Sequence, residues 1–197
     1  MFCRIRSLRI ARWAAIQAIA AAGLLGAPGT GFPAPSEIHA QFSLRGLDGR
    51  AVTEGSYPGR WLLVYFGYTF CPDVCPTALI KVGHALDSLG PLQDRLQPLF
   101  ITVDPARDTE SHLKQYLTAF NSHVVGLRGD ASQLAAAARQ FHVYYRKRGV
   151  GNGEYAIDHS SYLYVVAPGG RIVRVLPDSL TQAQMTAELR QLLQATP

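Results

Sequence analysis

The feature that most constrains this chain is Trp61-Leu-Leu-Val-Tyr-Phe66, an unbroken apolar run that ends in two closely spaced thiols. Six apolar residues in a row suit a central β-strand covered on both faces and are too few for a buried helix. The run leads through Gly67-Tyr-Thr-Phe70 into Cys71-Pro-Asp-Val-Cys75-Pro76. Then Leu79, Val82, Leu86 and Leu89 recur at helical spacing, which predicts a helix over 77–89. A strand therefore delivers two cysteines to the start of a helix. The helix dipole and free amide N–H groups there favour thiolate, the form that binds metal or attacks disulfides. Pro76 suits a first helical turn, where no backbone donor is needed.

The same alternation continues downstream. Gln41–Leu44 reads as a short strand followed by an Asp48-Gly49 turn, and Leu99–Val103 as a second buried strand. A helix is predicted over 109–120, its start marked by Asp108 and Glu110. Val124–Leu127 reads as a strand, and 131–140 as a helix capped by Asp130. The last section is β-rich: Phe141–Tyr145 and Ile157–Val166 flank a glycine-rich hairpin at 149–153, and Arg171–Leu176 follows. Thr181 and Gln184 resemble a capping box that opens a final helix to about Leu193. Strand–helix–strand units followed by an antiparallel hairpin and a closing helix describe an α/β, thioredoxin-like fold. Its central mixed sheet is flanked by helices and carries an additional β-hairpin.

The chain has 197 residues, which favours a leader over 1–35 followed by one domain over 36–197. Its net charge of +5 is concentrated at the start, where Arg4, Arg6, Arg9 and Arg12 face no acid before Glu37. Without those four the remainder carries +1, so the domain lacks the basic surplus of a nucleic-acid binder. The arginines precede an apolar stretch from Trp13 to Leu25, which implies export. The stretch is read either as a cleaved signal peptide or as a retained membrane anchor, with the Gly/Pro-rich segment 27–36 as linker.

Of three cysteines, Cys3 falls in the arginine-rich start, which leaves Cys71 and Cys75 as an isolated pair. A structural disulfide is a poor account of them, because so small a loop constrains the unfolded chain little. Their spacing also departs by one residue from the Cys-x-x-Cys of thiol–disulfide exchangers. Two sulfurs so placed converge on one soft ion and need a third ligand; thiolates select copper(I) or zinc, and an added imidazole also suits copper(II). Six histidines are available. His39, His84, His112, His123 and His142 each have an ordinary surface or packing reading. His159 differs in context, because Asp158-His-Ser-Ser161 opens an apolar strand whose loop reaches toward the cysteine end of the sheet. Asp158 is a candidate to orient that imidazole. Asp104-Pro105 and Arg107-Asp108 read as a charged turn capping the next helix; alternatively, Asp104 and Arg107 shape the rim of the site.

Tyr65–Pro76, Phe100-Ile-Thr-Val-Asp-Pro105 with Arg107-Asp-Thr109, and Asp158-His-Ser-Ser161 together resemble the Sco/SenC family of copper proteins in content, order and spacing. The resemblance implies a thioredoxin-like fold, membrane attachment on the periplasmic or equivalent side, and a copper site on Cys71, Cys75 and His159. It also implies copper taken from an upstream donor and passed to the dinuclear centre of cytochrome c oxidase subunit II. Asp73 and Asp158 match positions that the family uses beside the metal. His39-Ala-Gln-Phe42 departs from the Gly-Gly-x-Phe run that often opens such domains. A thiol–disulfide oxidoreductase using the Cys71/Cys75 couple stands as the alternative. A peroxide-reducing enzyme on the same fold fits less well, since it requires one activated cysteine and not a pair.

Overall fold

The computed structural model describes residues 38–195; the leader and Cys3 lie outside them. Thirteen regular elements run in the order β1 (Ser43–Gly46), β2 (Ala51–Thr53), β3 (Trp61–Gly67), α1 (Val74–Leu89), β4 (Leu96–Thr102), α2 (Glu110–Thr118), β5 (Val125–Arg128), α3 (Ala131–Gln140), β6 (Tyr145–Gly151), β7 (Glu154–His159), β8 (Tyr162–Val166), β9 (Ile172–Pro177) and α4 (Gln182–Ala195). Seven strands form one sheet in the order β2-β1-β5-β4-β3-β8-β9, and β6 and β7 form a separate two-stranded hairpin. β3, β4 and β5 are parallel to one another, and the other pairings are antiparallel. This is the expected mixed sheet with an additional hairpin. Among the described residues no helix is long and apolar enough to cross a membrane.

β3 and β4 sit at the centre and are buried along their whole lengths, as their continuous apolar sequences require. Side chains alternate across the sheet. Phe66 meets Phe141 and Tyr164 at ring-centre distances of 5.3 and 6.3 Å, while Tyr65 meets Phe100 at 6.1 Å. Both faces are therefore filled with aromatic rings. α1 and α4 pack on each other, α2 lies against β5, and α3 against β1.

Three departures from the sequence expectation bear on the site, beside smaller shifts such as β4 beginning at Leu96 and not Leu99. α1 begins at Val74, three residues early, so Cys75 and Pro76 both lie in its first turn. Phe141–Tyr145 is not a strand until Tyr145. Phe141 ends α3, and His142 takes a left-handed φ of 53°. The amides of His142 and Val143 bond back to the carbonyls of Arg139 and Ala138, at 3.2 and 2.8 Å. That is a Schellman ending with histidine in glycine's usual place, and it tucks Phe141 into the core. Finally, the run Ile157–Val166 is two strands in two sheets, broken at Ser160-Ser161.

Candidate metal centre

Sheet topology places the site. β3 and β4 are parallel, so the loops leaving Gly67 and Thr102 emerge at the same edge. β8 runs antiparallel to β3 with Tyr65 opposite Leu163, so the chain entering β8 arrives at that edge too. The cysteine loop, the turn after β4 and the end of β7 thus converge where ligand sites form in α/β sheets.

Cys71 lies in the loop, and Cys75 in the first turn of α1; both are free thiols, 8% and 0% exposed. His159 is the last residue of β7. Its Nε2 is 3.3 Å from the Cys75 Sγ, across 84 residues of sequence. Among the described residues, the ligand atoms of Cys71, Cys75 and His159 form a group in which all lie within 4.8 Å of one another. The His159 Nδ1 is 3.0 Å from the Ser160 carbonyl oxygen. A carbonyl only accepts, so Nδ1 carries the hydrogen, which makes Nε2 the ring nitrogen that can offer a lone pair to an ion between the sulfurs. Tyr65 and Tyr68 meet the imidazole edge-on at 6.3 and 5.8 Å and fix its plane. The Tyr65 hydroxyl pairs in turn with the Ser161 hydroxyl at 3.3 Å.

The thiols differ in acidity. Cys71 is lowered to about 4, chiefly because the Cys75 thiol hydrogen-bonds its sulfur, with the His159 imidazole and the amides of Asp73 and Cys75 assisting against the opposing effect of burial. Cys75 is pushed up, because it is the donor in that bond, is buried, and sits beside the Cys71 charge. One proton is shared by the pair, which therefore titrates as a unit. A cation among these groups would displace that proton, since thiolate is the ligating form.

The two flanking acids are placed differently from the ligand group. Asp158 faces the opposite side of β7 from His159, as strand alternation requires, and both of its oxygens lie 3.2 Å from the Arg148 Nε. The expected hold of Asp158 on the imidazole is supplied instead by the Ser160 carbonyl. Asp73 occupies the N-cap position of α1, exposed and without a side-chain capping bond. Of the other histidines, His39 bridges to Arg171 in an isolated β-pair, His84 is exposed on α1, and His112 stacks on Phe70 at 5.3 Å. The carbonyl of His123 accepts from Gln97, and His142 ends α3.

Sequence reasoning missed two supports. The turn after β4 does not cap α2; Thr109 does, its hydroxyl accepting from the His112 amide at 3.2 Å. Asp104 and Asp108 are instead fully buried. Asp108 accepts from the Thr69 hydroxyl at 2.6 Å, the Thr69 amide at 3.2 Å and the Thr102 hydroxyl at 2.5 Å. It thereby ties the cysteine loop to the end of β4. The available signal was a dense run of charge immediately after a buried strand. Gly67 is the other support: a Cβ there would lie 2.9 Å from the Phe100 ring and 3.0 Å from the Cys75 Sγ, so only glycine lets α1 approach this closely.

The family model for SCO1/SenC matches residues 32–194. The chain belongs to the SCO1/SenC family. The mitochondrial SCO1 homolog 2 of Arabidopsis thaliana is 38% identical over 151 residues, covering 74% of this chain and 55% of that protein. The human mitochondrial SCO1 homolog is 37% identical over 152 residues, covering 75% and 50%. The chain spans about half the length of the curated relatives it matches. Among solved structures, copper-bound ScoI of Bradyrhizobium japonicum is 37% identical with a TM-score of 0.72, covering 78% of this chain and 98% of that one. The fold of this SCO1/SenC chain is accordingly thioredoxin-like.

Proposed function

We propose that this chain is a copper metallochaperone: it takes one copper ion on Cys71, Cys75 and His159 and passes it to an acceptor cuproprotein. The observation that carries the reading is the convergence of two buried sulfurs and an imidazole nitrogen within 4.8 Å. Two thiolates and one imidazole suit both copper(I) and copper(II). A three-ligand site leaves a coordination position free, so an acceptor's ligand can enter before the donor's leave. The copper-bound relative supports copper as the cargo. The acceptor proposed is the dinuclear copper site of cytochrome c oxidase subunit II, with the cargo received from an upstream donor. The domain works on the periplasmic or equivalent side of a membrane, held there by the N-terminal segment. Four leader arginines and the apolar stretch after them support that placement.

A second reading draws on the unequal thiols. A Cys71 thiolate beside a buried Cys75 thiol is the arrangement of a dithiol that attacks a disulfide and then resolves the mixed disulfide. The two readings are compatible, since an acceptor's thiols must be reduced before they bind copper.

The deciding experiment is an anaerobic copper titration of the reduced protein beside a His159→Ala variant. The chaperone reading expects one tightly held equivalent and a sulfur-to-copper(II) charge-transfer band that the variant loses. Weak binding that ignores the substitution, together with ready cycling of Cys71–Cys75 against a dithiol, would replace it with the reductase reading.

A further inference from the structure

We infer that the Asp104–Asp108 turn is the device that holds His159 on the cysteine pair: Asp104 and Arg107 clamp the β6–β7 hairpin through Tyr155, while Asp108 fixes the facing cysteine loop. This rests on the copper reading above and deepens it.

The hairpin needs such a clamp. It makes no ladder with the main sheet, and Ile157 is the one residue of β6 and β7 that is buried. An isolated two-stranded hairpin is marginal in water. Yet this hairpin carries a ligand that has to meet two sulfurs to within a few tenths of an ångström.

The fastenings are polar and converge on one residue pair. The Arg107 Nη1 donates to the Tyr155 carbonyl at 2.9 Å, and the Tyr155 hydroxyl donates to the Asp104 Oδ1 at 2.8 Å. The Arg107 Nε closes the triangle on the Asp104 Oδ2 at 2.5 Å. The guanidinium lies 3.8 Å from the Tyr155 ring centre and 4.7 Å from that of Phe70 in the cysteine loop. It is therefore sandwiched between the two ligand-bearing segments. Its Nη2 is buried without a hydrogen-bond partner, as expected for a group facing π surfaces. Lys147 adds a second cation, 3.9 Å from the Asp104 carboxylate and 4.4 Å from the Tyr155 ring. On the cysteine side, Tyr68 contributes its hydroxyl as acceptor for the Ile157 amide at 3.2 Å.

Strand periodicity carries the hold to the metal site. Tyr155, Ile157 and His159 share one face of β7. At about 3.3 Å per residue, Tyr155 is clamped some 13 Å before the imidazole, on the same rigid strand. Arg107 and Tyr155 are thus positioning residues that touch no metal.

The test uses the full chain and two conservative variants. Tyr155→Phe removes only the hydroxyl bond to Asp104, and Arg107→Lys keeps the charge but loses the fork. In the copper-free protein, amide hydrogen exchange at Ile157 and His159 should quicken more than tenfold while β3 is unchanged. Copper(II) affinity should fall by about ten- to hundred-fold, the range for groups that orient a metal ligand, with a weakened charge-transfer band. Placed in a His159→Ala background, neither substitution should cost further affinity, because the clamp acts through that imidazole. Unchanged exchange at β7, or equal losses with and without His159, overturns the clamp. If the parent lacks a His159-dependent band, the copper reading fails instead, and the exchange measurement still judges the clamp.

Discussion

Asp108 shows how much a single side chain can hold in this molecule. Its carboxylate has no exposed surface and serves as the acceptor for three donors on two segments. Asp108→Ala removes all three bonds at once and strands the Thr69 and Thr102 donors in a dry site. The expected loss is about 3–5 kcal/mol of unfolding free energy, measured by urea denaturation of the copper-free protein. A loss under about 1 kcal/mol would mean that water replaces the carboxylate there. The cysteines allow a sharper test of electrostatics. Because Cys71 is lowered to about 4, its thiolate is already formed at pH 6, whereas Cys75 stays protonated there. Iodoacetamide at pH 6 should therefore label Cys71 alone, at a rate that barely rises toward pH 8. Joint labelling of both thiols that climbs only near pH 8–9 would refute the shared-proton picture. The two cysteines were legible because their spacing and helix-start context are local. His159 was only partly legible: its place before an apolar strand set it apart from the other five histidines, but its partner is 84 residues away and position alone did not settle the choice. Family resemblance singled it out before geometry did.

At the scale of elements, the cleanest junction is the contact of β3 with α1 at Gly67. A methyl group there meets the Phe100 ring and the Cys75 sulfur, and Phe100 is fully buried with no room to retreat. Gly67→Ala should cost about 1–3 kcal/mol by overpacking, visible as a lower unfolding midpoint. The strain falls on α1, so copper affinity should drop with it; a variant that keeps parental affinity would show that Phe100 yields and Cys75 does not. β3, β4 and α3 were readable in sequence because periodicity or an uninterrupted apolar run determines them. What escaped was set by hydrogen bonds that composition does not encode. The Schellman ending at His142 looks like strand because Phe, Val and Tyr are strand formers, and here tertiary burial of Phe141 prevails over propensity. The break at Ser160 was hidden for a related reason. Its amide bonds the Tyr144 carbonyl at 2.9 Å and its hydroxyl accepts from the Tyr144 amide at 3.0 Å, and this exchange turns β7 away from the main sheet.

For the whole molecule, the consequence lies in how copper binding couples to folding. A ligand stabilises the native state only by its differential affinity for native over unfolded chain. Cys71 and Cys75 are four residues apart, so an unfolded chain can still bring both sulfurs to one copper ion. His159 joins them only when β3, β8 and the hairpin are in place, because its approach depends on strand pairing across the sheet. Most of the copper-induced stabilisation should therefore come from the imidazole, even though the thiolates supply most of the affinity. With free copper at about a hundred times the dissociation constant, full linkage would raise the unfolding midpoint by about 5–10 °C. Calorimetry of the parent should show a shift approaching that size. His159→Ala, loaded to the same saturation with copper(I), should show little or none while still holding the ion. Equal shifts in the two proteins would mean that the unfolded chain cannot pair its cysteines on copper, and that the folded scaffold is needed for the sulfurs as much as for the imidazole.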